Sequence, residues 1–181
     1  MAVGLLGLVT ANVTMVLRAT SKAYDSDTAM AALEVSAAQT LNRVCLALMG
    51  ASRDAIDPPV EFPLHTSQVQ YEKNLGVADG APVWSDPETI AHDLQQSRVV
   101  WTTNPGEEGS KSVVWGRDVR QLLASEMLNG VDDNGNGLID ETGLTFSMEG
   151  ERVHIWLTLE RLNDAGELVQ RKIETCVTCR N

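Results

Sequence analysis

The sequence predicts an α+β protein, with one long N-terminal α-helix packed on an antiparallel β-sheet. Three observations predict it. No proline occurs before Pro58, and between Ser21 and Ser52 the only glycine is Gly50. Within that stretch apolar residues recur every three or four positions. After Pro63 the pattern changes to short alternating runs separated by turn residues. A period near 3.6 marks a helix with one buried face, and a period of two marks a strand.

Composition bounds what the chain can be. Its 181 residues suit one domain with room for an appendage. Hydrophobic residues at 43% and charged residues at 22% are ordinary for a protein with a packed core. The net charge of -11 and pI of about 4.6 disfavour a nucleic-acid partner, because an acidic surface repels phosphate backbones. The same acidity suits hard cations.

The helix is expected over residues 1–53, in two parts. "MAVGLLGLVTANVTMVL" (1–17) is apolar all round and carries no charge before Arg18. As a helix it spans roughly 25 Å, a little short of a hydrocarbon core. It lacks the basic start and cleavage pattern of a secretory signal. It reads as most of a membrane or fibre-core helix; the alternative is a buried N-terminal helix. Thr10, Asn12 and Thr14 are polar but uncharged, which helix–helix packing tolerates. Residues 18–53 are amphipathic. Met30, Leu33, Ala37, Leu41, Val44 and Leu48 form one stripe, widened by Cys45 and Met49. Asp27, Glu34, Asn42 and Arg43 lie opposite, and Pro58 and Pro59 close the helix.

Residues 60–181 are expected to form the antiparallel β domain. The runs 67–77, 87–96, 97–104 and 112–124 are short and alternating, and the last has a helical option at its end. Residues 144–161 read as two strands around Glu149 and Gly150, and 168–181 as a final strand after the "NDAGE" turn. Five to seven strands at hairpin spacing follow. Trp84, Trp101, Trp115 and Trp156 fall in or beside strands and are expected on sheet faces.

Cys45, Cys176 and Cys179 make an odd count, which is not a disulfide framework. Cys176 and Cys179 are three apart in an expected strand, so their side chains should point to opposite faces. His65, His92 and His154 are dispersed. No nucleophile–base motif, zinc-protease motif or phosphate loop is present, so no enzymatic activity is expected.

A long helix, half membrane-like and half amphipathic, against an antiparallel sheet resembles the layout of type IV pilins. "MAVGLLGLVTANVTMVLRAT" is similar to the interior of the pilin N-terminal segment. The family's Gly-Phe-Thr-Leu-x-Glu motif does not precede it, so the resemblance implies a chain that starts a few residues inside that helix. Residues 144–181 are similar to the C-terminal half of minor pseudopilins of type II secretion, nearest the J-type, and of the W-type minor pilins. Leu144, Phe146, Val153, Ile155, Leu157 and Leu159 stand at the family's hairpin positions, and Arg180 and Asn181 at its ending. The resemblance implies other pilin or pseudopilin subunits as partners and an inner-membrane location before assembly. It also implies a periplasmic globular domain and contact with a secreted protein substrate.

One stretch departs from both periodicities: "NGVDDNGNGLIDETG" (129–143). A calcium site needs about 6–8 oxygens at 2.3–2.6 Å from one point, and alternation in a tight loop delivers them. Counted from Asp132, the inward oxygens belong to Asp132, Asn134 and Asn136, with Gly137 at the sharp sixth position. Leu138 offers its carbonyl and Asp140 stands ninth. Ile139 is expected to pin the loop to the sheet. The twelfth position, usually a bidentate glutamate, is Gly143, and Glu141 comes two residues early. The pattern is closer to short D-x-N-x-N-G-x-x-D-E calcium loops of bacterial surface proteins than to an EF-hand. The alternative is a glycine-rich acidic turn, since Asn-Gly pairs at 129–130, 134–135 and 136–137 are turn chemistry as well.

The expected function is therefore a structural subunit of a pilus or pseudopilus fibre, stabilised by Ca2+. The alternatives are a calcium-dependent adhesive or substrate-recognising tip module and, third, a membrane-anchored periplasmic enzyme.

Overall fold

The computed structural model of the protein describes residues 2–179, and side chains from Asn12 onward. The expectations placed on Met1, on Arg180 and Asn181, and on the side chains of the first eleven residues lie outside the described residues.

The helix α1 runs unbroken over Ala2–Met49. It ends where Gly50 and Ala51 turn to i→i−3 bonds, on Ala47 O (3.3 Å) and Leu48 O (3.1 Å). A single 3-10 turn, Arg53–Ala55, leads to the prolines. The buried face carries Leu33, Ala37, Thr40, Val44, Ala47 and Leu48, with Ala29, Leu41 and Cys45 half-buried beside them. This corrects the expected stripe at two places: Met30 and Met49 are exposed, because each stands one position after a residue of the packed face, Ala29 and Leu48, and is turned off that face by the helical rotation. Among the described residues, no helix is long and apolar enough to cross a membrane.

Among the described residues nine strands follow, more than the five to seven expected. They are β1 (Gln68–Tyr71), β2 (Asn74–Ala78) and β3 (Ala81–Trp84), then β4 (Glu88–Asp93), β5 (Arg98–Thr103) and β6 (Lys111–Arg117). The last three are β7 (Leu144–Glu149), β8 (Arg152–Leu162) and β9 (Leu168–Thr178). All pairings between these strands are antiparallel, as expected, but they form three sheets rather than one: β1-β4-β5-β6, the hairpin β2-β3, and β7-β8-β9. The run 67–77 breaks at Glu72 and Lys73 into β1 and β2, and the helical option after β6 is not taken.

Packing follows from alternation. Leu144, Phe146 and Met148 of β7, Val153, Ile155, Leu157 and Leu159 of β8, and Val169 and Val177 of β9 face one core with the helix. The helix packs chiefly on β8, β9 and β6. The other face of β8 carries His154, Trp156 and Thr158. Here Trp156 forms a second small cluster with Leu123 and Leu138. Trp101 and Trp115 stack at 5.4 Å on β5 and β6, whereas Trp84 on the hairpin is exposed.

The connection between β6 and β7, residues 118–143, contains no named strand or helix. It is far longer than the roughly 12–15 residues at which irregular connections become uncommon. The isolated bridge Val119↔Leu159 fastens its start to β8, Leu122↔Thr142 ties its two ends to each other, and the Thr158 amide donates to the Gly143 carbonyl at 2.7 Å to fasten its end. Its middle is the acidic loop.

Candidate metal centre

The loop folds as a series of side-chain to backbone bonds. Asp132 is the hub: its Oδ1 accepts the amides of Gly135 (2.6 Å) and Asn136 (3.2 Å), and its Oδ2 accepts Gly137 (2.8 Å). These amides, Gly137 foremost, hold the Asp132 carboxyl below the usual range. Asn134 Oδ1 accepts Asn136 N (3.1 Å), and Asn136 Oδ1 accepts Leu138 N (2.9 Å). Short polar side chains bonding their own backbone two residues on build tight turns without regular structure. Gly137 sits at φ 88°, a left-handed conformation that glycine adopts without strain, and this lets the chain reverse at the sixth position.

The structure brings Asn134, Asn136 and Glu141 together. The Asn136 Nδ2 donates to Glu141 Oε1 at 2.5 Å, and Asn134 Nδ2 reaches the same oxygen at 3.4 Å. Asp140 is turned elsewhere: its carboxylate accepts the amides of Asn129 (2.9 Å) and Gly130 (2.9 and 3.0 Å) and closes the neck of the loop. No hydrogen bond joins its side chain to Asp132, Asn134 or Asn136 among the described residues. The residue that pins the loop is Leu138, fully buried against Leu123 and Trp156; Ile139 is 51% exposed. The expectation placed on Ile139 is thus wrong by one residue. The Ile139 carbonyl instead meets His65 Nε2 at 2.8 Å.

One residue absent from the sequence reading belongs here. Glu126, 1% exposed, accepts the Asn134 amide on Oε1 at 2.9 Å. Glu141 is 0% exposed. Among the described residues, the second carboxyl oxygen of each is sealed from solvent and accepts no well-formed hydrogen bond, although the Asp140 amide and the Glu141 carboxyl adjoin Glu126. Burial first, and then the adjoining Glu141 carboxyl, push the Glu126 carboxyl up against the opposing pull of the Asn134 and Asp140 amides. Neither glutamate has a Lys, Arg or His partner among the described residues; Arg120, the arginine nearest Glu126 in sequence, pairs with Glu160 at 3.2 Å. The signal in the sequence was slight: a lone acid ahead of the alternating pattern, brought in only by the turn at Asn129.

The donor set suits a hard cation. It offers two buried carboxylates without a counter-charge, carboxamide oxygens, the Asp132 carboxylate and loop carbonyls. Among the described residues no three His, Cys, Asp or Glu side chains converge as a metal-holding group by themselves. A cation here would therefore draw on amide and carbonyl oxygens as well as carboxylates, as calcium commonly does.

The remaining expected features lie apart. His65, His92 and His154 are on separate elements, the last two in β4 and β8. All three cysteines are free thiols; Cys176 is exposed and Cys179 buried, as their spacing predicts. Cys176 Sγ lies 3.9 Å from His154 Nε2. Compared with known proteins, the chain matches no family model, no curated protein and no solved structure.

Proposed function

We propose that this chain is a structural, non-enzymatic subunit of a pilus-like or type II secretion pseudopilus fibre. It would assemble through its N-terminal helix and be stabilised by calcium at the 129–143 loop. The observation that carries the proposal is the unburied half of α1. From Asn12 to Tyr24 every side chain is exposed, Val13, Met15, Val16 and Leu17 among them. A contiguous apolar helix surface in water calls for a cover. In the fibre, the same segment of neighbouring subunits supplies it. Before assembly, the segment would lie in the inner membrane with the β domain in the periplasm.

Two experiments test this. The DNA just upstream of residue 1 should encode a short basic leader and a Gly-Phe-Thr-Leu-x-Glu motif; an unrelated domain there would overturn the reading. Val13→Glu with Leu17→Glu, one helical turn apart, should exclude the protein from sheared fibres without changing the melting of the β domain. Entry of this variant at wild-type levels sinks the proposal.

A second reading, a calcium-dependent adhesive or substrate-recognising tip module, has its own observation. Every residue of the β2-β3 hairpin is exposed, including Leu75, Val77 and Trp84. Loss of target binding, but not of fibre entry, on replacing Val77 and Leu75 by Ser would favour it.

A further inference from the structure

The geometry points to Glu126, outside the loop, as a ligand of the cation, completing with Glu141 the carboxylate closure that Gly143 cannot give. This rests on the calcium reading above and deepens it.

Three observations lead there. First, Gly143 holds the position from which a closing glutamate would come, and no side chain fits: a Cβ on it would lie 1.8 Å from the Arg120 carbonyl oxygen. The site must be closed from elsewhere. Second, Glu126 and Glu141 are 1% and 0% exposed, and one oxygen of each is buried without a well-formed hydrogen bond. Two such carboxylates in contact repel each other and have lost their hydration; a counter-ion between them relieves both costs. Third, their engaged oxygens both turn to the loop. Glu126 Oε1 holds the Asn134 amide, and Glu141 Oε1 holds the Asn134 and Asn136 carboxamides. These bonds set both glutamates beside the loop side chains that the spacing assigns as ligands.

The chemistry selects the ion. Two carboxylates with carboxamide and carbonyl oxygens, and no nitrogen or sulfur donor, favour an oxygen-seeking divalent cation. An irregular set drawn from three chain segments suits calcium, which accepts flexible geometry, over magnesium, which demands a strict octahedron. Bound this way, the ion does more than order a turn. It ties residue 126 to the loop and to residue 141, both of which are bonded through their backbones to Leu123 of the Leu123–Leu138–Trp156 cluster. The whole β6–β7 connection is then fastened at its middle as well as at its ends.

The test uses the full chain, stripped of metal and titrated with calcium chloride by calorimetry, beside Glu126→Gln and the exposed control Glu149→Gln. Melting of each metal-free protein is recorded too. The wild type should bind one calcium ion. E126Q should bind at least tenfold more weakly, yet melt no lower than wild type without metal, since the substitution removes an uncompensated buried charge. E149Q should match wild type in both. A loss under tenfold in E126Q overturns the assignment of Glu126 while leaving the calcium site standing. An E126Q that melts markedly lower without metal also overturns it, because the carboxylate would then be serving the fold alone. Absence of calcium binding by the wild type overturns the calcium reading itself.

Discussion

Gly143 lies against the backbone of Arg120 so closely that no side chain can stand there. Its amide donates to Gln121 O at 3.0 Å and its carbonyl accepts Thr158 N at 2.7 Å, so it is locked between the connection and β8. Gly143→Glu would restore the twelfth-position carboxylate of an EF-hand on paper. In this fold it should not tighten calcium binding. It should destabilise by at least the upper end of the roughly 1–3 kcal/mol typical of overpacking, because the clash is with backbone that cannot rotate away. Thermal melting with and without calcium checks this, and a G143E protein of wild-type stability would show that the connection yields.

Calcium should raise the melting temperature of the wild-type protein, since only the folded loop presents its oxygens together. At one hundred times the dissociation constant the gain is about 2.7 kcal/mol. Asp132→Ala with Asp140→Ala should erase the calcium-dependent rise, Asp132 by removing the hub and Asp140 by opening the neck. A persisting rise in the double variant would mean that neither Asp132 nor Asp140 is needed to hold the ion.

How much of this was legible follows from the range of the forces involved. The helix was, because a 3.6-residue period is written locally; what it did not give is the helix end, Met49 rather than residue 53, and the exposure of Met30 and Met49, where the edge of the buried face depends on which strand lies beneath. The loop was legible as well: Asp132, Asn134, Asn136 and Gly137 form bonds spanning two to five residues, so spacing alone carries them. What stayed hidden is long-range. Glu126 enters the site only through the turn that follows it. Leu138 rather than Ile139 is buried because Trp156, on a later strand, lies under it. The division into separate sheets is likewise decided by pairing between distant residues, as in His92 N bonding Ser67 O and Val119 N bonding Ser97 O.

His92 predicts a pH dependence away from the loop. Burial lowers its imidazole to about 4, against a smaller upward pull from Asp93, and neither ring nitrogen has a partner. In the folded protein the ring is therefore neutral, whereas the unfolded chain titrates near 6.5. Between those values the unfolded state binds more protons, so stability falls as pH drops from about 6.5 toward 4. His92→Leu should flatten the stability profile in that window, measured by denaturant unfolding in the absence of calcium. Glu88 provides the contrast. Burial alone would raise its carboxyl, but bonds from Lys73, Tyr71 and Trp101 outweigh this and hold it low, so its contribution is lost only in stronger acid. An unchanged slope in H92L between pH 6.5 and 4 would count against a buried neutral ring.

The two halves of α1 should answer differently to the same substitution. Leu33 is fully buried in the core shared by α1 and the β7-β8-β9 sheet. Leu33→Ala removes apolar atoms from a packed site and leaves a cavity, at a cost of about 2–5 kcal/mol. Leu17 is 65% exposed and has no such site to lose. Leu17→Ala should leave the melting temperature of the isolated subunit within error of wild type. If the exposed half of the helix serves association, the ranking reverses in the assembled state. L17A should then weaken incorporation into fibres, while L33A subunits that remain folded at low temperature incorporate normally. Equal destabilisation by both substitutions in the isolated subunit would show that the upper helix is already covered within one chain, and would remove the observation on which the assembly proposal stands.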